Sequence, residues 1–257
     1  MYYATLYQKQ GELRALKMLV EFGNESKRFV PNLIINDASQ ETLDTIRRSY
    51  SNFTLLDVRN LDTDEIDTLE ELLELPGNMD FDILYPVEYL VEDSNVSDIN
   101  YVRINKSIVN SFFIHWLASN HDKLPEKIML DFGYIENINT ELTATINSLV
   151  EKLQSKTIIV MSGAVPNSIP VKANENYKFR RIEKDLYNAI KKIAPEDAEL
   201  IFGDYSSVSP IITTGGRAIV QIKYTLESDY WFVRNGVRQG NYNFVKVCEQ
   251  IASLENF

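Results

Sequence analysis

Short apolar runs recur along this chain, and between most of them lies a stretch in which apolar residues return every three or four positions. The first run, residues 2–7, is aromatic and β-branched and predicts a strand; after Gln10-Gly11-Glu12, residues Leu13, Leu16, Leu19 and Val20 share one helical face. Phe29 to Ile35 and Phe53 to Val58 are the next two strands, separated by Asn36-Asp37-Ala38-Ser39, which offers capping side chains to a helix over 40–50. The stretch 62–74 is acidic yet keeps Ile66, Leu69, Leu72 and Leu73 on one side, an amphipathic helix that Pro76-Gly77 ends. Phe81–Val87 and Tyr101–Ile104 are further extended runs. The polar link 88–100 between them is only marginally long enough for a parallel crossover, which leaves room for one of the two to stand outside the main sheet.

The second half repeats the alternation. A helix over 107–119 precedes strand Lys127–Asp131, helix 139–154 and strand Thr157–Met161. Residues 163–177 carry Gly163, Pro166 and Pro170 and read as irregular, while 180–193 sets Ile182, Leu186, Ala189, Ile190 and Ile193 on one stripe. Extended runs follow from Leu200, from Ala218 and over 230–234, with a closing helix at about 240–253. Eight or nine strands alternating with helices imply parallel pairing through right-handed crossovers. At this length the natural closure is a single α/β domain over 1–257, a (β/α)8-like barrel with some irregularity allowed. An open doubly wound sheet is the competitor, and no Gly-x-Gly-x-x-Gly follows any strand to support it.

Composition narrows the partners. The 44% hydrophobic and 25% charged fractions exclude a wholly disordered chain. A formal net charge of −11 sets general nucleic-acid binding and anionic membrane surfaces at a disadvantage. Cys248 is the only cysteine, so no internal disulfide forms, and no apolar run is long enough to span a bilayer. The residues after Met1 lack the basic start and apolar core of a signal peptide, so a cytoplasmic protein is expected.

The working groups of such barrels sit at the carboxyl ends of the strands. That rule selects Lys9 and Glu12 after the first strand, Asp131 after the Lys127 strand, Asp204 and Tyr205 after Leu200-Ile201-Phe202-Gly203, and Lys223, Tyr224 and Arg234 from the last runs. Asp131, Asp204 and Lys223 form the catalytic candidate set. Lys9, Glu12, Tyr205, Tyr224 and Arg234 are candidate binding residues. Converging carboxylates and a lysine suit acid–base chemistry or, with an oxygen-ligated Mg²⁺, phosphodiester cleavage. Against this, Asp131 and Asp204 also suit capping, loop closure or a buried ion pair. No metal or other cofactor is called for: His115 and His121 do not share a helix face, Cys248 sits in a patterned helix, and Gly215-Gly216-Arg217 reads as a turn rather than an anion nest. The acidic runs Asp62–Asp67 and Glu70-Glu71 read as a solvated face.

Four stretches, in order, resemble the phage Beta-protein family of phages and mobile bacterial islands. They are Tyr7–Glu12; Ile128–Gly133; Val160–Pro166; and a set joining Arg181-Ile182-Glu183, Phe202–Tyr205, Ile222–Thr225 and Trp231. The chain departs from the pattern after Pro31, where Asn32-Leu33-Ile34-Ile35 replaces an expected Glu. The resemblance implies a barrel-like fold and a setting of phage–host conflict, in defence or counter-defence, and the missing Glu tilts the reading to binding. The expected partner is a phage or host protein or a small ligand. The alternative is a hydrolase or phosphodiesterase with a carboxylate/lysine site.

Overall fold

The computed structural model describes residues 1–21, 28–92, 99–166, 176–206, 221–227 and 229–235. Eight parallel strands close into a barrel: β1 (Tyr2–Tyr7), β2 (Phe29–Ile34), β3 (Thr54–Asp57), β4 (Phe81–Pro86), β5 (Tyr101–Asn105), β6 (Lys127–Tyr134), β7 (Thr157–Gly163) and β9 (Glu199–Asp204). The last pairs back onto the first, with Tyr2 opposite Phe202 and Ala4 opposite Asp204. Strands buried on both faces explain the apolar runs: every residue of β2, β3 and β7 is buried.

Around the barrel lie α1 (Gln10–Glu21), α2 (Gln40–Ser49), α3 (Thr63–Leu73), α4 (Val87–Glu92), α5 (Ser111–Ser119), α6 (Thr140–Val150) and α7 (Ile182–Lys191). Their starts follow from local chemistry. The Ser39 side chain accepts from the Thr42 N–H to begin α2, and Asp62 with Glu65 forms a reciprocal capping box on α3. Ile66 and Leu69 of α3 pack into the outer apolar layer, Asp64 and Asp67 are exposed, and Glu70 accepts from the Tyr85 hydroxyl at 2.7 Å. Both extended runs flanking residues 88–100 belong to the barrel: β4 and β5 pair in parallel, and the link between them begins with the short helix α4. No helix among the described residues is long and apolar enough to cross a membrane.

The final strands depart from expectation. β9 is the eighth and closing strand, and a closed barrel has no free edge to accept another. The run expected from Ala218 is β10 (Gln221–Glu227). With β11 (Tyr230–Asn235) and β8 (Asn176–Arg180) it forms a separate three-stranded antiparallel sheet in the order β10-β11-β8. The end of the segment read as irregular thus supplies a strand. Trp231 packs this sheet onto Ala164 and Val165 beyond β7. The helix expected at 240–253, with Cys248, and the turn Gly215-Gly216-Arg217 lie outside the described residues.

Alternation along each strand decides what the barrel interior contains. Tyr3, Val30, Leu55, Leu84, Tyr101, Met129, Ile159 and Ile201 fill it, and Met161 packs with them. Space is tight at Gly203, where a Cβ would stand 2.7 Å from Met161 Cε and 3.1 Å from the Tyr3 carbonyl oxygen. Gly203→Ala is therefore expected to cost about 1–3 kcal/mol by overpacking, read as a lower urea midpoint at unchanged m-value. An unaltered midpoint would show that the interior yields freely there.

Candidate functional site

Two residues above five of the apolar interior positions, toward the carboxyl ends, the inward-facing side chain is polar. Thr5 follows Tyr3, Asn32 follows Val30, Asp57 follows Leu55, Arg103 follows Tyr101 and Asp131 follows Met129. Tyr205 joins them from just beyond β9. Asp57 and Asp131 are wholly buried, and they are held by two arginines and a phenol. Arg59 donates from its backbone N–H and its Nε to Asp57 Oδ1 at 3.1 and 3.0 Å, and from Nη2 to Asp57 Oδ2. Its Nη1 donates to the Tyr205 hydroxyl at 3.1 Å, and that hydroxyl donates to Asp131 Oδ2 at 2.6 Å. Arg103 Nη1 donates to the same Oδ2 at 3.2 Å, and Arg59 Nη2 stands 3.6 Å from it.

Local backbone geometry aims these groups. The β6–β7 register shifts between Asp131 and Tyr134, and Gly133 takes a positive φ of +60° there. This bulge turns the Gly133 N–H onto Asp131 Oδ1 at 2.9 Å. Burial raises the Asp57 carboxyl, but the charges of Arg59 and Arg103 with the Arg59 hydrogen bonds more than offset it and leave its pKa below the ordinary value. The Tyr205 phenol is driven well above its ordinary pKa, first by burial and then by the Asp131 charge. It therefore stays a donor.

A second polar cluster lies on the outer side of the same wall. Asp204 occupies the outward parity of β9, next to inward Tyr205. Its Oδ1 accepts from the Tyr2 hydroxyl at 2.5 Å and the Ser206 N–H at 2.7 Å, and its Oδ2 pairs with Arg181 Nη2 at 3.4 Å. The Ser206 bond holds that residue at φ +49°, an uncommon conformation for a non-glycine. Arg181 Nε donates to Glu183 Oε1 at 2.9 Å, which also accepts from Trp231 Nε1 at 2.6 Å. Barrel, α7 and appended sheet meet at this buried group.

The structure does not bring the catalytic candidates together. Asp131 faces the barrel mouth, Asp204 faces away from it, and Lys223 lies on β10 with its side chain outside the described part. The same holds for the side chains of Tyr224 on β10 and Arg234 on β11. Tyr205 is at the centre of the mouth. Lys9 and Glu12 stand at its rim: Lys9 is exposed with Nζ 4.7 Å from the Tyr7 ring centroid, and Glu12 is buried, with its pKa raised by that burial. Beside the mouth, an open groove of about 570 Å³ runs past Lys106, Tyr134, Asn137 and Leu142. Sequence reasoning missed Asp57, Arg59, Arg103 and Asn32 as site residues. The signal for three of them was a polar side chain two positions after an interior apolar one.

Glu183 makes the stability of the outer cluster depend on pH. Its pKa is pushed up to about 7, mainly by burial, with the Asp204 charge adding and Arg181 opposing. A carboxyl raised above its ordinary value of 4.5 keeps a proton that the unfolded chain has already released. Its contribution to stability is full below about pH 4.5 and is lost as pH rises through about 7. Asp204, raised chiefly by burial, acts in the same sense. Lowering the pH from about 8 to about 6 should thus raise the thermal midpoint of the native chain relative to Glu183→Gln, which loses most of that slope. Parallel pH profiles for the two proteins would rule out Glu183 as the titrating group.

A comparison with curated protein sequences returned no match. A family model described as Beta protein matches residues 115–257, from within α5 through barrel strands β6, β7 and β9 and the appended sheet. The span takes in Asp131, Arg181, Glu183, Asp204, Tyr205 and Trp231, whereas Asp57, Arg59 and Arg103 lie before it. With more than half of its length matched, the chain belongs to the Beta protein family.

Proposed function

We propose that the protein acts by binding a small ligand at the carboxyl-end mouth of its barrel, in the phage–host conflict that its family resemblance implies. The observation that carries this reading is the engagement of both carboxylates at the mouth. Each oxygen of Asp57 and Asp131 already accepts at least one hydrogen bond from Arg59, Asn32, Gly133, Tyr205 or Arg103. A carboxylate so engaged makes a poor proton acceptor but a rigid frame for recognition. The hydrolase or phosphodiesterase alternative needs Asp131 and Asp204 to share a substrate, and their carboxylates open on opposite sides of the barrel wall.

A protein partner is the second reading, favoured by α5. Phe112 is 86% exposed there, and Phe113, Ile114 and Trp116 are only partly covered.

Small-molecule extracts from infected and uninfected bacteria, passed over the purified chain, discriminate between binding and hydrolysis. The expected result is one species retained in near-stoichiometric amount, of unchanged mass, and retained roughly 10-fold less by Tyr205→Phe. A compound consumed by the native chain and spared by a folded Asp131→Asn variant would favour the hydrolase. An extract from which nothing is retained would remove the small-ligand reading.

A further inference from the structure

Hydrogen-bond donors and acceptors at the mouth do not balance. Asp57 Oδ1 accepts twice from Arg59, and Asp57 Oδ2 accepts from Arg59 and, at 3.5 Å, from Asn32. Asp131 Oδ1 accepts from Gly133, and Oδ2 from both Tyr205 and Arg103. The acceptors are therefore occupied. Arg103 is in the opposite state: a guanidinium carries five N–H donors, and among the described residues it makes a single hydrogen bond, from Nη1 to Asp131. It is only 9% exposed, and its remaining N–H groups are not among the fully buried unpartnered atoms, so they open onto solvent at the mouth, where a ligand can reach them. Asn32 Oδ1 also lacks a partner among the described residues, but Asn32 is wholly buried in the layer that lines the barrel, out of solvent reach.

A site with surplus donors and filled acceptors selects a ligand rich in acceptors. We propose that Arg103, with Arg59 beside it, binds the oxyanion of a small molecule, a carboxylate or phosphate group, at the mouth of the barrel. The inference rests on the binding reading above and names the chemistry of its ligand. Guanidinium geometry matches two oxygens of either group, and a nearly buried position strengthens each bond. The charges of Asp57 and Asp131 are already paired with Arg59 and Arg103, so the mouth itself is near neutral. The chain's net charge of −11 opposes an anion only weakly, because salt screens charges beyond about 8 Å at physiological strength.

Inorganic phosphate and acetate, titrated separately into the purified full chain at an ionic strength held constant with chloride, test the proposal. At least one should raise the thermal midpoint saturably. Arg103→Gln should weaken that effect roughly 10-fold or more, with Arg103→Lys in between. A response to phosphate alone points to a phosphorylated ligand, a response to acetate alone to a carboxylic acid, and either supports the oxyanion. Asp131 keeps Tyr205 and Gly133 when Arg103 is changed, so the fold is expected to hold. If it does not, the Arg103 Nε–H resonance of the native chain should move with the oxyanion and not with chloride. An effect that does not saturate, that is equal in Arg103→Gln, or that neither oxyanion produces overturns the proposal. In that event, an uncharged compound retained from cell extract leaves the mouth as a binding site and removes only the anion, whereas an empty extract removes both.

Discussion

The pairing of Arg59 with Asp57 and, through Tyr205, with Asp131 is the interaction on which the carboxyl end of this barrel depends. Two carboxylates stripped of water inside a barrel are costly, and each would expel its own charge or its strand without a compensating cation. Arg59 lies just past β3, Asp131 ends the regular part of β6, and Tyr205 follows β9. One guanidinium and one phenol thus hold three strand ends across the interior. Arg103 adds β5 to the same group. Below this polar tier the barrel is filled by Tyr3, Leu55, Tyr101, Met129 and their neighbours, so the network closes a packed core rather than lining a channel.

Much of the fold was legible because periodicity and burial act locally. β2, β3 and β7 are covered on both faces, and they read as continuous apolar runs; α1, α3 and α7 show their covered stripes through spacing alone. The last strands were misjudged for a reason no local pattern records. A closed barrel saturates at eight strands, and whether an extended run becomes the next member or begins another sheet depends on closure, a property of the whole ring. The pairing of β11 with β8, some fifty residues earlier, is equally nonlocal.

The site was less legible than the fold. Asp131 and Asp204 look alike in sequence, since each ends an apolar run at the carboxyl side of a strand. What separates them is parity: Asp131 shares the inward parity of Met129, and Asp204 the outward parity of Phe202. The hydrophobic residues on both sides of these strands carry no contrast that would reveal which is which. Asp57, Arg59 and Arg103 were hidden differently. Their meaning comes from one another, across the barrel, and none of the three looks unusual alone.

Tyr205 and Asp204 are consecutive, yet one serves the barrel mouth and the other the junction with the appended sheet. The end of β9 is therefore a partition with a different chamber on each side. Evolution can extend this wall or cut it back only in steps of two residues. A single insertion or deletion within residues 199–204 would turn the carboxylate toward the barrel interior and the phenol toward the outer face, emptying both chambers of their keystones at once.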